Sequence, residues 1–276
     1  MTFPFLHHPG SRSRANGAEG FPAGGPEEAF TLVELLVVTA IVSILAGLLL
    51  STFNKARQRA ITAGCMSNLK QQGVALTMYC NDCKHYPLGT SGDGVGTWQQ
   101  YLLKETTETT FLCPQSIKAQ PDYLRLTGLS GPKIHPHYGY SQVGAAWNGF
   151  PDQSLGLGGD LVPNGINFSY TPIPAEGRVV CPAEMIAIGD SAAYIPPFDT
   201  NLGASSIFYI VLPYIIPSYG DKAVGDWHND GAANMLLADG HVKTRKQLEW
   251  TARNAWMRSM WNNDHSPHSN YWAIGQ

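Results

Sequence analysis

A long apolar run near the amino terminus constrains this chain more than any other feature of its sequence. Residues 30–53 are 24 residues whose only charged side chain is Glu34. As a helix rising about 1.5 Å per residue, the part from Leu35 to Phe53 can cross a hydrocarbon core of about 30 Å. The run starts too late and is too long for an ordinary cleaved secretory signal. The sequence therefore predicts the transmembrane half of a helix over residues 30–53.

The segments on either side of the run differ in character. Residues 1–29 are rich in Gly, Pro, Ala, Ser and Arg without apolar periodicity, which is typical of a leader. Residues 54–85 continue the helical pattern, so we expect one helix, half in lipid and half outside it. Gly64 and Gly73 weaken that outer half unless it is tightly packed. The apolar positions that define its stripe are Ile61, Cys65, Leu69, Leu76 and Cys80.

The remainder, residues 86–276, is predicted to be an α+β head that is loop-rich and contains an antiparallel β-sheet. The chain's 29 glycines and 19 prolines favour such a body over a helical bundle. Asp239-Gly240 between two strand-like runs predicts a hairpin. A short helix is expected at 98–105, and short buried strands at 177–182 and 183–190.

Composition and motifs argue against several functions. A net charge of −3 gives no reason to expect a nucleic-acid partner. The sequence contains no Walker loop, dinucleotide fingerprint, H-E-x-x-H pair or G-x-S-x-G elbow. We therefore predict a protein that is not an enzyme and that has no cofactor, with the calcium ion considered below as the one alternative.

Five cysteines leave at least one thiol without a partner in the same chain. In an oxidising compartment, we expect Cys80 or Cys83 to pair with Cys113 or Cys181. Two alternatives stay open, namely inert thiols and a zinc site that uses all four of these side chains.

Glu34 allows two interpretations. In the first, it is the glutamate of a simple membrane anchor, held near the positive end of the helix dipole. In the second, cleavage between Ala29 and Phe30 creates an α-amino group one helical turn away from its carboxylate. Pairing of that carboxylate with the amine of its own or a neighbouring chain would fix the register of packed helices.

The stretch AFTLVELLVVTAIVSILAGLLLSTFNKARQRA resembles the cleavage and methylation segment of type IV prepilins and type II secretion pseudopilins. The segments CMSNLKQQGVALTMYCND and WHNDGAANMLLADGHV are similar to parts of pseudopilin-like proteins, the second to a His-x-Asp-Gly segment. The resemblance implies cleavage before Phe30, methylation of its amine, and filament assembly supported by Glu34. The sequence departs from the family pattern in three ways. Ala29 stands where the family prefers glycine, and the leader is long and ends with the charges of Glu27 and Glu28, where family leaders are short and basic. Ten residues, instead of nine, separate His228 from Asp239.

The resemblance also implies partners and a location. The partners are copies of the chain or other pilins, a prepilin peptidase, an inner-membrane assembly platform with its ATPase, and membrane lipid. The chain would be a single-pass inner-membrane protein with its head in the periplasm, and the filament would lie in the cell envelope or at the cell surface. Counting basic residues around the apolar run gives the opposite orientation, with the head in the cytoplasm. That count compares Arg12 and Arg14 with Lys55, Arg57 and Arg59.

The C-terminal segment carries the candidate metal ligands. His228, Asp230, Asp239 and His241 would converge on a metal if the hairpin folds back on itself, although Asp-Gly turns need none. The resemblance also allows a calcium site, since major pseudopilins often bind Ca²⁺ in a C-terminal loop. Its carboxylates would be Asp221, Asp226 or Asp230.

Function is predicted from the resemblance, with alternatives of other classes. The first prediction is a structural subunit of a pseudopilus or type IV pilus-like filament that serves type II protein secretion. The second is a membrane-tethered module whose aromatic head binds carbohydrate or another extracellular ligand. A tethered hydrolase is a third class, for which the sequence offers no motif.

Overall fold

The computed structural model of the chain describes two units, residues 1–51 and 52–276. Within them, the residues described are 30–89, 98–119, 137–141, 144, 155–164, 167–191, 215–216, 221–222 and 224–268. The leader, with Ala29, lies outside the described residues.

The first element is a single long helix, α1, over Leu32–Cys83. It includes the whole apolar run after Thr31 and the outer stripe that the sequence predicts. Four short helices follow in the described residues. They are α2 (Trp98–Leu102), α3 (Pro114–Ala119), α4 (Gln247–Trp250) and α5 (Ala255–Ser259), and a 3-10 helix covers Glu108–Phe111.

An antiparallel four-stranded sheet forms the centre of the second unit. Its strands are β1 (Tyr138–Tyr140), β4 (Ile186–Asp190), β7 (Ala232–Leu237) and β8 (Val242–Lys246), in the order β1-β4-β7-β8. Two further antiparallel pairs are β2 (Asp160–Asn164) with β3 (Asn167–Thr171), and β5 (Ile215–Ile216) with β6 (Asp221–Lys222). The predicted α+β class, a long helix followed by a head with an antiparallel sheet, is confirmed.

Both faces of the central strands are buried. On β7, Leu236 belongs to the cluster that contains the outer half of α1, whereas Met235 and Leu237 pack with Trp250 and Trp261. Because neighbouring strand residues point to opposite faces, the sheet separates two apolar layers. The segment around α4 and α5 therefore covers the face opposite α1.

The buried stripe of α1 carries polar side chains as well as apolar ones. Asn68 donates a hydrogen bond to the carbonyl of Leu112 (2.8 Å), and Gln72 donates one to the carbonyl of Thr110 (2.7 Å). These side chains lie on the same helical face as Leu69, which is fully buried. The backbone of 110–112 is thus fixed against α1 by side chains four residues apart, and this positions the residue that follows it.

The structure confirms some of the short elements predicted from the sequence and contradicts one of them. The hairpin at Asp239-Gly240 is confirmed, since β7 and β8 pair in register from Ala232↔Lys246 to Leu236↔Val242. Strand β4 lies inside the predicted strand 183–190, and α2 lies inside the helix expected at 98–105. The strand expected at 177–182 is wrong, because that stretch consists of bends and a turn. Among the residues that the structure describes, no strand pairs with the two valines of this stretch.

Gly73 lies against β7 and Gly64 faces open space, so substitutions at these two glycines test the packing of α1 on the sheet. A Cβ at Gly73 would lie 2.8 Å from Cδ1 of Leu236, whereas a Cβ at Gly64 meets nothing within 4 Å. We expect Gly64→Ala to raise the free energy of unfolding by about 0.5–1 kcal/mol through helix propensity. Gly73→Ala is expected to leave the free energy of unfolding unchanged or to lower it, because the added methyl group displaces the buried side chain of Leu236.

Chemical denaturation of the detergent-solubilised full-length chain measures both variants. Each glycine serves as the control for the other, since both substitutions remove the same backbone freedom from one helix. Equal stabilisation by the two substitutions would contradict the close approach of α1 to β7.

Candidate functional site

The amino-terminal site is built around the first turn of α1. The backbone N–H and the hydroxyl of Thr31 both donate to Oε2 of Glu34, at 2.9 and 2.7 Å. The N–H of Glu34 donates back to Oγ1 of Thr31 at 3.2 Å. Reciprocal bonds between a threonine N-cap and a glutamate three residues later form a capping box. This box explains why α1 begins at Leu32, directly after Thr31.

The capping box also explains how the carboxylate of Glu34 is tolerated at the start of an apolar helix. Hydrogen bonds to an ionised group are stronger than neutral ones, and the helix dipole favours negative charge in the first turn. Glu34 is thereby satisfied within its own chain before any neighbour is present. The sequence pattern Thr-x-x-Glu before an apolar run marks such a box, so Thr31 could have been identified from sequence alone.

The side chains that follow are apolar and exposed. Leu32, Leu36 and Leu48, for example, are 79%, 61% and 64% exposed. By length and composition α1 could cross a membrane, and the most apolar window of the helix is not buried within the protein. A contiguous apolar surface of this kind requires a partner or lipid to cover it. Phe30, the predicted first mature residue, is also exposed, at 70%.

His228, from the C-terminal segment, lies in the interior of the head. Its Nε2 is 3.0 Å from Oδ2 of Asp190, and both side chains are fully buried. Its Nδ1 is 3.3 Å from Oγ1 of Thr62, whose hydroxyl donates to the carbonyl of Gln58. Because that hydroxyl proton is committed, the Thr62 oxygen accepts from Nδ1–H, and both ring nitrogens act as donors.

The electrostatics agree with a charged imidazole. Burial by itself lowers the pKa of His228, but the hydrogen bond to Asp190 and contact with Cys113 outweigh it and raise the pKa to about 10. Oδ2 of Asp190 also accepts a hydrogen bond from the N–H of Asn234 at 2.6 Å. The pair therefore connects the end of β4 and the start of β7 to α1.

The other metal ligands predicted from the sequence do not lie next to His228. Asp239 is exposed and forms the hairpin turn, accepting from the N–H of His241 (3.0 Å) and contacting its Nδ1 (2.6 Å). His228 and Asp239 flank β7, a strand of six residues that spans roughly 20 Å. Asp230 is exposed in the turn before β7. The structure does not bring the four candidate ligands together.

The calcium candidates and the cysteines were predicted as separate groups. Asp226 and Asp230 form no three-residue ligand cluster among the described residues, where the one such group is Cys65, Cys113 and His228.

Cys113 lies against Cys65 rather than against Cys80 or Cys83. Cys80 and Cys181 are half-buried, and Cys83 is exposed. Burial and the neighbouring Cys83 raise the pKa of Cys80 to about 12.

Sequence reasoning missed Asp190 and the role of Cys65. Asp190 ends a buried strand directly before Ser191 and carries no local pattern that indicates an ion pair. The spacing of apolar residues places Cys65 correctly in the buried stripe of α1, but nothing in that stripe identifies the partner of its thiol. In both cases the partner comes from a distant part of the chain.

Comparison with known proteins assigns the amino-terminal site. The family model for the prokaryotic N-terminal methylation motif matches residues 26–50. The match includes Phe30, Thr31 and Glu34 and much of the apolar run. The chain thus carries a prepilin-type methylation motif, and the motif supports a pilin- or pseudopilin-like prepilin that a prepilin peptidase processes. Searches of curated proteins and of solved structures gave no match.

Proposed function

We propose that this chain is a structural subunit of a pseudopilus or type IV pilus-like filament, with type II protein secretion as the system it serves. The observation that carries the proposal is the capping box of Thr31 and Glu34 at the start of a long, exposed apolar helix, within a methylation motif. The helix spans the inner membrane, and copies of it pack together when the filament assembles. The head faces the periplasm.

The mechanism is assembly rather than catalysis. Cleavage before Phe30 frees an α-amino group, which becomes a cation beside lipid. The Glu34 carboxylate of a neighbouring subunit pairs with this cation, so that the pairing sets the axial stagger of the helices. The energy for extraction from the membrane comes from a separate ATPase of the assembly platform.

The packing of the head places several of its aromatic side chains in the core, where they cannot bind carbohydrate. Flat aromatic rings that stack on a sugar must reach the surface, but Trp98, Trp250 and Trp261 are fully buried. Trp98 stacks on Tyr140, with ring centroids 5.5 Å apart. These three side chains are part of the core, whereas the ring of Trp256 is 43% exposed and has the guanidinium of Arg245 over it.

The amino terminus of the mature protein tests the proposal. Mass spectrometry of membrane-extracted protein, produced together with a prepilin peptidase, is expected to find Phe30 as the first residue and a methyl group on its nitrogen. Ala29→Gly is expected to increase the processed fraction, since the family prefers glycine at that position. Production without the peptidase is the control and leaves the leader attached. A chain that keeps Met1 in the presence of active peptidase contradicts the proposal.

A further inference from the structure

Two thiols meet inside the head. Sγ of Cys65, on α1, lies 2.7 Å from Sγ of Cys113, which directly precedes α3. Both side chains are fully buried. This separation is shorter than the contact distance of two sulfur atoms that are not bonded to each other. The contact joins positions 48 residues apart in the chain.

The surroundings hold these sulfur atoms together independently of any bond between them. Asn68 and Gln72 bind the carbonyls of Leu112 and Thr110 and so fix the backbone that leads into Cys113. The N–H of Cys113 donates to Nδ1 of His137 at 2.9 Å. The backbone at Cys113 is therefore held from both sides, with its side chain directed at α1.

We propose that Cys65 and Cys113 form a disulfide bond that fastens the outer half of α1 to the head. The proposal rests on the proposed function, because it needs a head that folds in an oxidising compartment outside the cytoplasm. The bond replaces the predicted pairings of Cys113 with Cys80 or Cys83.

The oxidant is a protein disulfide that undergoes thiol exchange. One cysteine thiolate attacks a sulfur of that disulfide, releases a thiolate and forms a mixed disulfide. The second thiolate then attacks the sulfur of the first cysteine and releases the other oxidant thiol. The chain loses two protons and two electrons, and the oxidant is reduced to two thiols. Since both sulfur atoms are buried in the closed head, the exchange precedes docking of the Cys113 segment.

A metal ion is the competing occupant, since His228 also lies in this cluster, with the ligand atoms within 4.8 Å of one another. Two thiolates bound to one zinc ion at about 2.3 Å stand roughly 3.8 Å apart, which is about 1 Å more than the sulfur atoms here. Nε2 of His228 is also closer to Asp190 (3.0 Å) than to Cys113 (3.9 Å). The imidazole is therefore engaged by a carboxylate rather than directed at the thiols.

Thiol mapping of the membrane-extracted full-length protein tests the proposal. Free thiols are alkylated under denaturing conditions, then disulfides are reduced and labelled with a second, heavier reagent. We expect the second label on Cys65 and Cys113, and a linked pair of their peptides before reduction. Alkylation of both residues in the first step overturns the proposal, and so does a bound metal in one-to-one ratio whose removal makes both thiols reactive.

Variants add a readout on stability. Cys65→Ala, Cys113→Ala and the double variant are expected to lower the Tm by the same amount, about 10 °C, because any one of them removes the whole crosslink. Cys83→Ala, an exposed cysteine, is the matched control and is expected to leave the Tm unchanged. Single-variant losses that add up in the double variant contradict a shared bond.

The same samples separate this proposal from the proposed function. Mature Phe30 at the amino terminus with two free thiols overturns the disulfide and leaves filament assembly standing. A linked pair on a chain that keeps its leader contradicts processing and supports the bond.

Discussion

Glu34→Gln is expected to leave membrane insertion intact and to reduce filament assembly by roughly 10- to 100-fold. A charge at the membrane centre costs about 2.5–3.5 kcal/mol. Since Glu34 lies in the first turn and already accepts hydrogen bonds from Thr31, we expect pairing with a neighbour's amine to favour assembly by about 1.4–2.8 kcal/mol, which corresponds to this factor. Glutamine keeps the shape of the side chain and can still accept the hydrogen bonds of a capping box. The substitution therefore removes the charge and keeps the helix start.

Thr31→Val is the matched control, because it removes the capping hydroxyl and keeps the carboxylate. Its expected cost is about 0.5–2 kcal/mol at the helix start, with assembly largely retained. Envelope fractions, sheared filaments and the processed amino terminus are measured for both variants. If Thr31→Val abolishes assembly and Glu34→Gln does not, the cap rather than the charge is the assembly determinant. If neither variant affects assembly, the helix is only an anchor.

Asp190→Ala is expected to lower the free energy of unfolding by about 3–5 kcal/mol. The substitution leaves His228 buried without its carboxylate and removes the acceptor of the Asn234 N–H, and breaking a buried pair from one side costs this much. Asp239→Ala is the control within the same region. Its side chain pairs with the exposed His241, so we expect a loss below about 1 kcal/mol.

The buried pair of His228 and Asp190 also makes the free energy of unfolding depend on pH. The pKa of His228 rises from 6.5 to about 10 on folding, so the folded state binds its proton more tightly. The resulting stabilisation is complete below about pH 6.5 and is lost as the pH increases towards 10. The titratable group paired with His228 is Asp190, since Cys113, which also lies against the ring, no longer titrates once it is bonded to Cys65.

Denaturation of the full-length chain in detergent at about pH 6, 8 and 10 measures both effects. The wild-type protein is expected to lose stability steadily over this range, whereas Asp190→Ala is expected to show a smaller slope. An unchanged slope in the variant would mean that His228 does not carry the proton. Equal losses for Asp190→Ala and Asp239→Ala would contradict the buried position of the pair.

Part of the fold could be predicted because its signals are local. The apolar run predicts the first half of α1, and the four- and seven-residue spacing of Cys65, Leu69 and Leu76 predicts its buried stripe. Asp239-Gly240 predicts the hairpin, because the turn depends on neighbouring residues. The prediction of a strand at 177–182 is wrong because a strand needs a partner strand, which the residues of the segment itself do not specify.

The sequence alone predicts the long amino-terminal helix, the methylation motif around Phe30 and Glu34, and the β-hairpin. Each of these depends on hydrogen bonds and side-chain spacing within a few residues. The folded structure was needed to show that Cys113 contacts Cys65 and that His228 contacts Asp190 instead of Asp239. These contacts join segments far apart in the chain, and their geometry is fixed by how α1 and the sheet pack against each other.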